Sequence, residues 1–377
     1  MQGVMDSSKL PVQCQKYCRA GDRWENTMGK YVLKRIGYMV VVLLILSLLM
    51  FLIYNLVPNN RAYNDAKNDM NAQKVALKDK TEEERSAYFD KIYLEYQRKY
   101  GTETKNMLLR YCRWMGFAPN YYGEFNGLLQ GNFGYSYEYK QDVVDMIGAP
   151  MGNTIFINIF ATIAALGITI PLGIICAVKK NSLMDRTTSV FTIIGYSLPT
   201  FIICILFIWV FCSLLGWLPP SGMKTPGSEY TGWKWFTDRM YYLALPLITM
   251  TFASLGSMTR YVRASMIDAL SMDCIRTARA KGVKEKTVIY SHAWRNALIP
   301  VVTLVVGWFL GIFSGSLVFE DMFALNGMGR LMISSLRTQD FEVVLLLQLF
   351  YVCISLLGNL IIDLVYGLVD PRVRVSK

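Results

Sequence analysis

"DCIRTARAKGVKEKTVIYSHAWRNALIP", Asp273 to Pro300, reads like the surface of a soluble helical protein, yet both its flanks are strongly apolar. Ser271 is placed to cap a helix whose first turn holds Asp273, where the helix dipole favours negative charge. Arg279 and Lys281 sit near that helix's end, and Gly282 is a natural stop because glycine enters the left-handed conformation at little cost. A second helical run, Lys284 to Asn296, leads into the next apolar segment. On composition alone this hairpin has two readings. It is a docking element, with small Ala278 and Ala280 beside charged Arg276, Arg279 and Lys281, or it is a basic amphipathic hairpin lying on anionic lipid.

The flanks decide the setting. Of 377 residues 53% are hydrophobic, and six runs approach or exceed the roughly 20 residues a helix needs to cross a bilayer core. They are Ile36 to Val57, Asn153 to Val178, Thr188 to Leu215, Tyr241 to about Thr259, Ala297 to Val318, and Phe341 to Val369. Lipid leaves no water for unpaired backbone groups, so the expectation is an all-α membrane protein of six transmembrane helices. With the N-terminus inside, the inner segments carry 21 Lys and Arg and the two short outer loops five. The positive-inside rule therefore gives an N-in, C-in chain. The net charge of +11 belongs to that inner face, and nucleic-acid binding is excluded as its explanation.

This topology divides the chain into a cytoplasmic N-terminal segment 1–35, a first transmembrane helix 36–57 kept as an anchor, and an extracytoplasmic insertion 58–152. A five-helix core, 153–369, follows; it includes the cytoplasmic loop 260–296 and is closed by a tail, 370–377. In the insertion Phe89, Ile92, Tyr93 and Tyr96 fall at i, i+3, i+4, i+7, which predicts an amphipathic helix; Val75, Leu77 and Tyr88 add apolar positions. The insertion is then a helical cap over the bundle or a docking surface for an outer partner. Tyr121 to Gly152, rich in Gly, Asn and Tyr and containing "GNFGYS", is expected to be irregular.

Pro171, Pro199 and Pro246 are predicted to kink their spans. Tyr196 and Ser197 stand beside Pro199 in "GYSLPTF", so Tyr196, Ser197 and Pro199 are the candidate translocation-path residues, against a plainer reading as packing irregularity. Asp363, roughly 10 Å from the inner end of the last span, is the exceptional deep charge. With no charged partner in the other spans it makes a poor ion relay, and a structural, hydrogen-bonded role is expected.

Enzyme chemistry finds no foothold. The chain lacks a GxxxxGK[ST] phosphate loop, has a single histidine, His292, and offers no hydrolase constellation in context. Cys14 and Cys18 have helical spacing but no nearby His, so a metal site there is not expected. Cys112 would be the one outer cysteine, which rules out an outer intrachain disulfide.

"RTARAKG", Arg276 to Gly282, followed by "HAWRNALIP", His292 to Pro300, resembles the cytoplasmic coupling loop of ABC-transporter permeases, in the version typical of dipeptide and oligopeptide importers. "GNFGYS", "GYSLPTF" and "LIIDLVYGLVDPRVR" resemble further family segments in the same order. The chain departs from the family at Pro58 to Arg61, at Cys274 and Trp294, and at "ALNGMG", Ala324 to Gly329, which replaces a Trp-Pro-Gly pattern. The resemblance implies that Thr277, Ala278 and Gly282 take the places of the family's docking residues. It extends ATPase coupling to Asp273, Arg276, Arg279, Ala280, Lys281, His292, Arg295 and Asn296.

It further implies a bacterial plasma-membrane subunit, not an enzyme, with no cofactor of its own and ATP held by partners. Those partners would be a second permease, two cytoplasmic ATPases, an extracytoplasmic solute-binding protein, the lipid bilayer and a peptide substrate. Nickel, a metal chelate or glutathione is the alternative cargo. An ion-driven carrier would need charged spans, and a sensor would need an inner output domain; the sequence favours neither.

Overall fold

The structure, a computed structural model, describes residues 12–57, 61–73 and 81–369. Residues 1–11, Pro58 to Asn60, Val75 and Leu77, the tail 370–377 and the side chains of Cys14 and Cys18 lie outside that description. The chain divides into two units, Met1–Met50 and Phe51–Lys377. The first is built on helix α1 (Val12–Leu56), whose stretch from Val32 is long and apolar enough to cross a membrane.

In the second unit the insertion is helical, as the amphipathic spacing predicts. It comprises α2 (Arg61–Ala72), α3 (Glu82–Lys99) and α4 (Met107–Met115). A reciprocal cap starts α3: Glu84 N–H donates to Thr81 Oγ1 at 3.4 Å and Thr81 N–H donates to Glu84 Oε2 at 3.1 Å. Asn106 caps α4 by accepting from the amides of Leu108 and Leu109. The face of Phe89, Ile92, Tyr93 and Tyr96 turns inward, with Ile92 buried and the rings of Phe89 and Tyr93 against Tyr63 of α2. The irregular stretch holds one small hairpin, β1 (Tyr135–Ser136) antiparallel to β2 (Gln141–Asp142).

Helix α5 (Val143–Val178) begins ten residues earlier than Asn153, so the irregular segment ends at Asp142 and not at Gly152. Prolines then behave unequally. Pro150 and Pro171 lie inside α5, and Pro246 lies inside α8 (Gly232–Ser271); both helices continue through them. Pro199 breaks its span. A proline's ring pushes the preceding residue out of the helical region. Leu198 accordingly sits at φ −79°, ψ 135°, and α6 (Leu183–Ser197) meets α7 (Thr200–Ile208, continued by a π turn at Trp209–Leu214) at 108°. The third span is an elbow, not a rod.

The remaining elements are α9 (Asp273–Ala280), α10 (Glu285–Thr287), a π turn at Val288–Ala293, α11 (Trp294–Gly311), α12 (Leu317–Met322), α13 (Met328–Arg337) and α14 (Phe341–Val369). The fifth span bends by 63° between Leu298 and Pro300 and ends at Gly311, short of Val318. Among the described residues four helices are long and apolar enough to span a membrane, and six spans result if each bent pair counts as one.

Helix α5 packs along α8 and organises two cores at opposite ends. At one end Ile174 and Ala177 join Val262, Met266, Ile275, Val288 and Ala293. At the other Ile157 joins Leu243, Leu245, Phe319, Phe323 and Leu325. Apolar side chains buried here contribute about 25 cal/mol per Å² only where water is the alternative; within a bilayer close van der Waals packing takes over.

Candidate functional site

The hairpin quoted at the outset is built by one anchor and one turn. Ile275 is fully buried among Val262, Met266 and Val288, which pins α9 across the end of the bundle. Ser271 does not cap α9. It is the last residue of α8, its hydroxyl donates to the Asp268 carbonyl at 2.7 Å, and Met272, with no side-chain acceptor, stands at the cap position. The physical reason is that α8 runs twelve residues past Thr259, so Ser271 is consumed by the preceding helix.

The stop is as expected. Gly282 has φ +73°, its N–H donates to Arg279 O at 3.0 Å, and Val283 N–H donates to Ala278 O at 3.2 Å. These are the paired bonds of a Schellman motif, with Val283 and Ala278 both packed toward the core. Arg279 then locks the turn: Nη2 and Nε donate to the two Glu285 carboxylate oxygens at 2.6 and 3.1 Å.

The proposed docking residues therefore separate into two groups. Asp273, Arg276, Thr277, Ala280, Lys281 and Gly282 are exposed, as are His292 and Arg295. Ala278 is half-buried against its own core, and Arg279 is committed to Glu285 although exposed. Thr277 donates to the Asp273 carbonyl at 2.9 Å, and Asn296 donates to the His292 carbonyl at 3.0 Å. What the hairpin presents outward is a short ridge, small at Ala280 and Gly282 and positive at Lys281, with Arg276 paired to the also exposed Asp273 at 3.6 Å.

Sequence reasoning missed the pair that fastens this end. Arg263 of α8 donates from Nε and Nη2 to the two oxygens of Asp185 at 2.7 and 2.8 Å, and Asp185 also accepts from Asn181 N–H at 2.9 Å. Ser182 caps the same helix through Asp185 N–H at 3.3 Å. The Ser-x-x-Asp spacing of Ser182 and Asp185, a capping-box pattern, was the available signal.

A cleft of about 250 Å³ opens between α5, α8 and α11, lined among others by Asn158, Thr162, Ser254 and Trp308. Asn158 donates to the Ile312 carbonyl at 2.9 Å, at the point where α11 has ended. Tyr196, Ser197 and Pro199 do not line this cleft. They stand exposed on the α6–α7 elbow, Tyr196 at 69%. Asp363 is half-buried on α14.

At the far end of α5 a second missed residue, Glu320, is 1% exposed. It accepts from Thr154 Oγ1 at 3.0 Å, Ser316 N–H at 3.1 Å and Gly329 N–H at 2.7 Å. Burial pushes its carboxyl above the usual range, and the hydrogen bonds it accepts oppose that shift. Gly327 makes the close approach feasible, since a Cβ there would lie 2.2 Å from Glu320 Oε2. A fifth span taken from Ala297 to Val318 puts Glu320 in the loop that follows, where nothing local predicts burial.

A bundle of apolar, partly broken helices closed at one end by a helical hairpin defines a multi-pass membrane protein. The profile of the binding-protein-dependent transport system inner membrane component matches residues 169–375, and the chain belongs to that family of ABC-importer permeases. It is 32% identical over 351 residues to the oligopeptide transport system permease protein AppB of Bacillus subtilis (strain 168), covering 92% of this chain and 100% of that one. It is 33% identical over 255 residues to the oligopeptide transport system permease protein OppB of Haemophilus influenzae, covering 67% and 79%. The glutathione transport system permease protein GsiC of Escherichia coli (strain K12) is 31% identical over 347 residues, 92% and 99% of the two chains. The chain is thus a transport subunit of the inner membrane and not an enzyme.

Proposed function

We propose that this permease carries di- or oligopeptides into the cytoplasm, with both termini inside and the α9 hairpin as the coupling element for separate ATPase subunits. The observation that carries the reading is the hairpin itself: a pinned α9, an open glycine turn, and a second arm running from Glu285 into the membrane helix α11. ATP stays on the partners. Closure of two ATPases would displace α9 and, through that second arm, tilt α11 and vary access to the cleft. A second permease and an extracytoplasmic binding protein complete the importer.

Peptide cargo is supported by the names of two relatives, AppB and OppB, and glutathione by that of a third at comparable identity. Uptake of labelled di- and oligopeptides and of labelled glutathione by a strain lacking this gene separates the two. Peptide uptake should fall; normal peptide uptake with lost glutathione uptake would move the assignment to glutathione.

Co-purification tests the coupling role. Detergent-extracted protein should bring down an ATPase, and Gly282→Trp should lose it while still inserting: a Cβ there meets no heavy atom of this chain within 4 Å, and Gly282→Ala, which carries the same strain of a side chain at φ +73° without the bulk, should keep it. Unchanged association would remove the hairpin from the interface.

A further inference from the structure

A chamber of about 1090 Å³ lies on the side of the protein away from α9, walled by the end of α1, by α3 and α4, by the segment 120–137 and by the start of α14. That volume lies just above the roughly 300–1,000 Å³ of small-molecule sites. Its lining is charged in both senses: five Lys or Arg and four Asp or Glu contribute to it. A site for a simple anion or a simple cation would carry an excess of one sign, as this one does not.

Three residues of the same wall each keep one buried polar atom that makes no hydrogen bond. Asp340, with its side chain 1% exposed, accepts from the Ser136 hydroxyl at 2.5 Å through Oδ2, while Oδ1 accepts no hydrogen bond; the Arg61 guanidinium is 4.0 Å from it. Glu103 pairs with Arg113 through Oε1 and leaves Oε2 buried and unbonded. Arg110 donates to Asn55 and leaves Nε buried and unbonded. A buried polar group left unsatisfied costs about 1–3 kcal/mol, more when charged, so each of these atoms would gain from a partner that the chain itself does not supply. Here the unmatched groups comprise two acceptors and one donor. The aromatic surface between them is preformed: Tyr100 and Tyr137 stand edge to face at 4.6 Å, with Arg61 against both rings.

We propose that this chamber is a docking site for a short peptide with both termini free, its ammonium group directed to Asp340 and its carboxylate to Arg110. The tyrosines supply apolar walls for side chains of varied size, which suits binding by termini and not by sequence. The proposal rests on the peptide-importer reading and adds a site on this chain, separate from the cleft between the spans.

The test uses the complete transporter in lipid nanodiscs without its binding protein, and equilibrium dialysis of radiolabelled tetra-alanine. N-acetylated and C-amidated tetra-alanine are the comparisons. The free peptide should bind, and each blocked form should bind roughly tenfold more weakly or worse, the loss expected when a charged partner goes unmet. Asp340→Asn, which keeps the side chain's shape, should abolish discrimination against the acetylated peptide only. Arg110→Met should abolish discrimination against the amide only. Equal binding of all three peptides to the wild type, or no binding, overturns the proposal even if both variants fail to fold. ATP-driven uptake of tetra-alanine with the binding protein present keeps the two readings apart. Terminus-specific binding without uptake sinks the peptide-cargo reading alone, and uptake without terminus-specific binding sinks the chamber alone.

Discussion

The Thr154 hydroxyl donates to the Glu320 carboxylate at 3.0 Å and accepts from the Met328 N–H at 2.8 Å, so one side chain of α5 holds the turn between α12 and α13. Thr154→Val removes both bonds while keeping the volume. It should cost about 1–3 kcal/mol, and Glu320→Ala more, because the latter strips the acceptor from the amides of Ser316, Gly329 and Arg330 as well. Thermal unfolding of detergent-solubilised protein reads the difference; equal midpoints for wild type and Glu320→Ala would show that the carboxylate holds nothing.

Asp185 and Arg263 join α6 to α8 in a two-pronged pair, Asp185 buried and the Arg263 side chain 28% exposed. Asp185→Ala should destabilise by about 2–3 kcal/mol, below the roughly 3–5 kcal/mol of a fully buried pair because Arg263 keeps some water. Arg263→Lys should recover less than half, since an ammonium cannot match both oxygens. A double-mutant cycle on unfolding midpoints decides.

Gly282→Ala places a Cβ on a residue at φ +73°. The cost of about 1–2 kcal/mol should be local, loosening the turn without unfolding the bundle. Protease sensitivity confined to 278–286 is the expected signature, with the global midpoint unmoved.

Tyr96 donates to Asp69 Oδ2 at 2.7 Å, and that bond is the main cause raising its phenol from 10 to about 12. A folded-state pKa above the unfolded one gives stabilisation that is complete below pH 10 and vanishes as pH climbs through about 12. The α2–α3 contact should therefore weaken across that window, and Asp69→Asn should lower the Tyr96 titration midpoint. Absorbance difference titration against Tyr96→Phe measures it; an unaltered midpoint in Asp69→Asn would assign the shift elsewhere.

Asp363→Asn should leave uptake largely intact under the proposed coupling to ATPase subunits, which needs no proton or sodium at that carboxylate. Loss of uptake with normal insertion would favour an ion-driven carrier.

How much of this was readable beforehand depends on the distance over which each feature is decided. The i, i+3, i+4, i+7 face of α3, the glycine stop at Gly282 and the apolar length of α14 are local, and each reappears in the fold. Glu320 and Asp185 are buried because partners on other helices, Thr154 and Arg263, come to meet them; that information resides in packing. Proline shows the same limit. Pro171, Pro199 and Pro246 carry the same ring, yet only Pro199 breaks its helix, so the neighbours and not the residue type decide. At the hairpin, composition leaves a docking element and a lipid-bound hairpin open and the family resemblance implies the first, but which of its side chains face outward follows from Ile275 being buried.

The 108° elbow at Leu198 and Pro199 has a consequence for wetting. A helix end leaves up to four backbone groups without intrahelical partners, and here a carboxyl end and an amino end fall side by side within one apolar span. Hydrocarbon cannot solvate them. Lipid is therefore an unsuitable neighbour for this exposed corner, and in the bilayer it must be covered by another polypeptide or kept hydrated. Tyr196 and Ser197 stand at the one place along this span where the hydrocarbon has to give way.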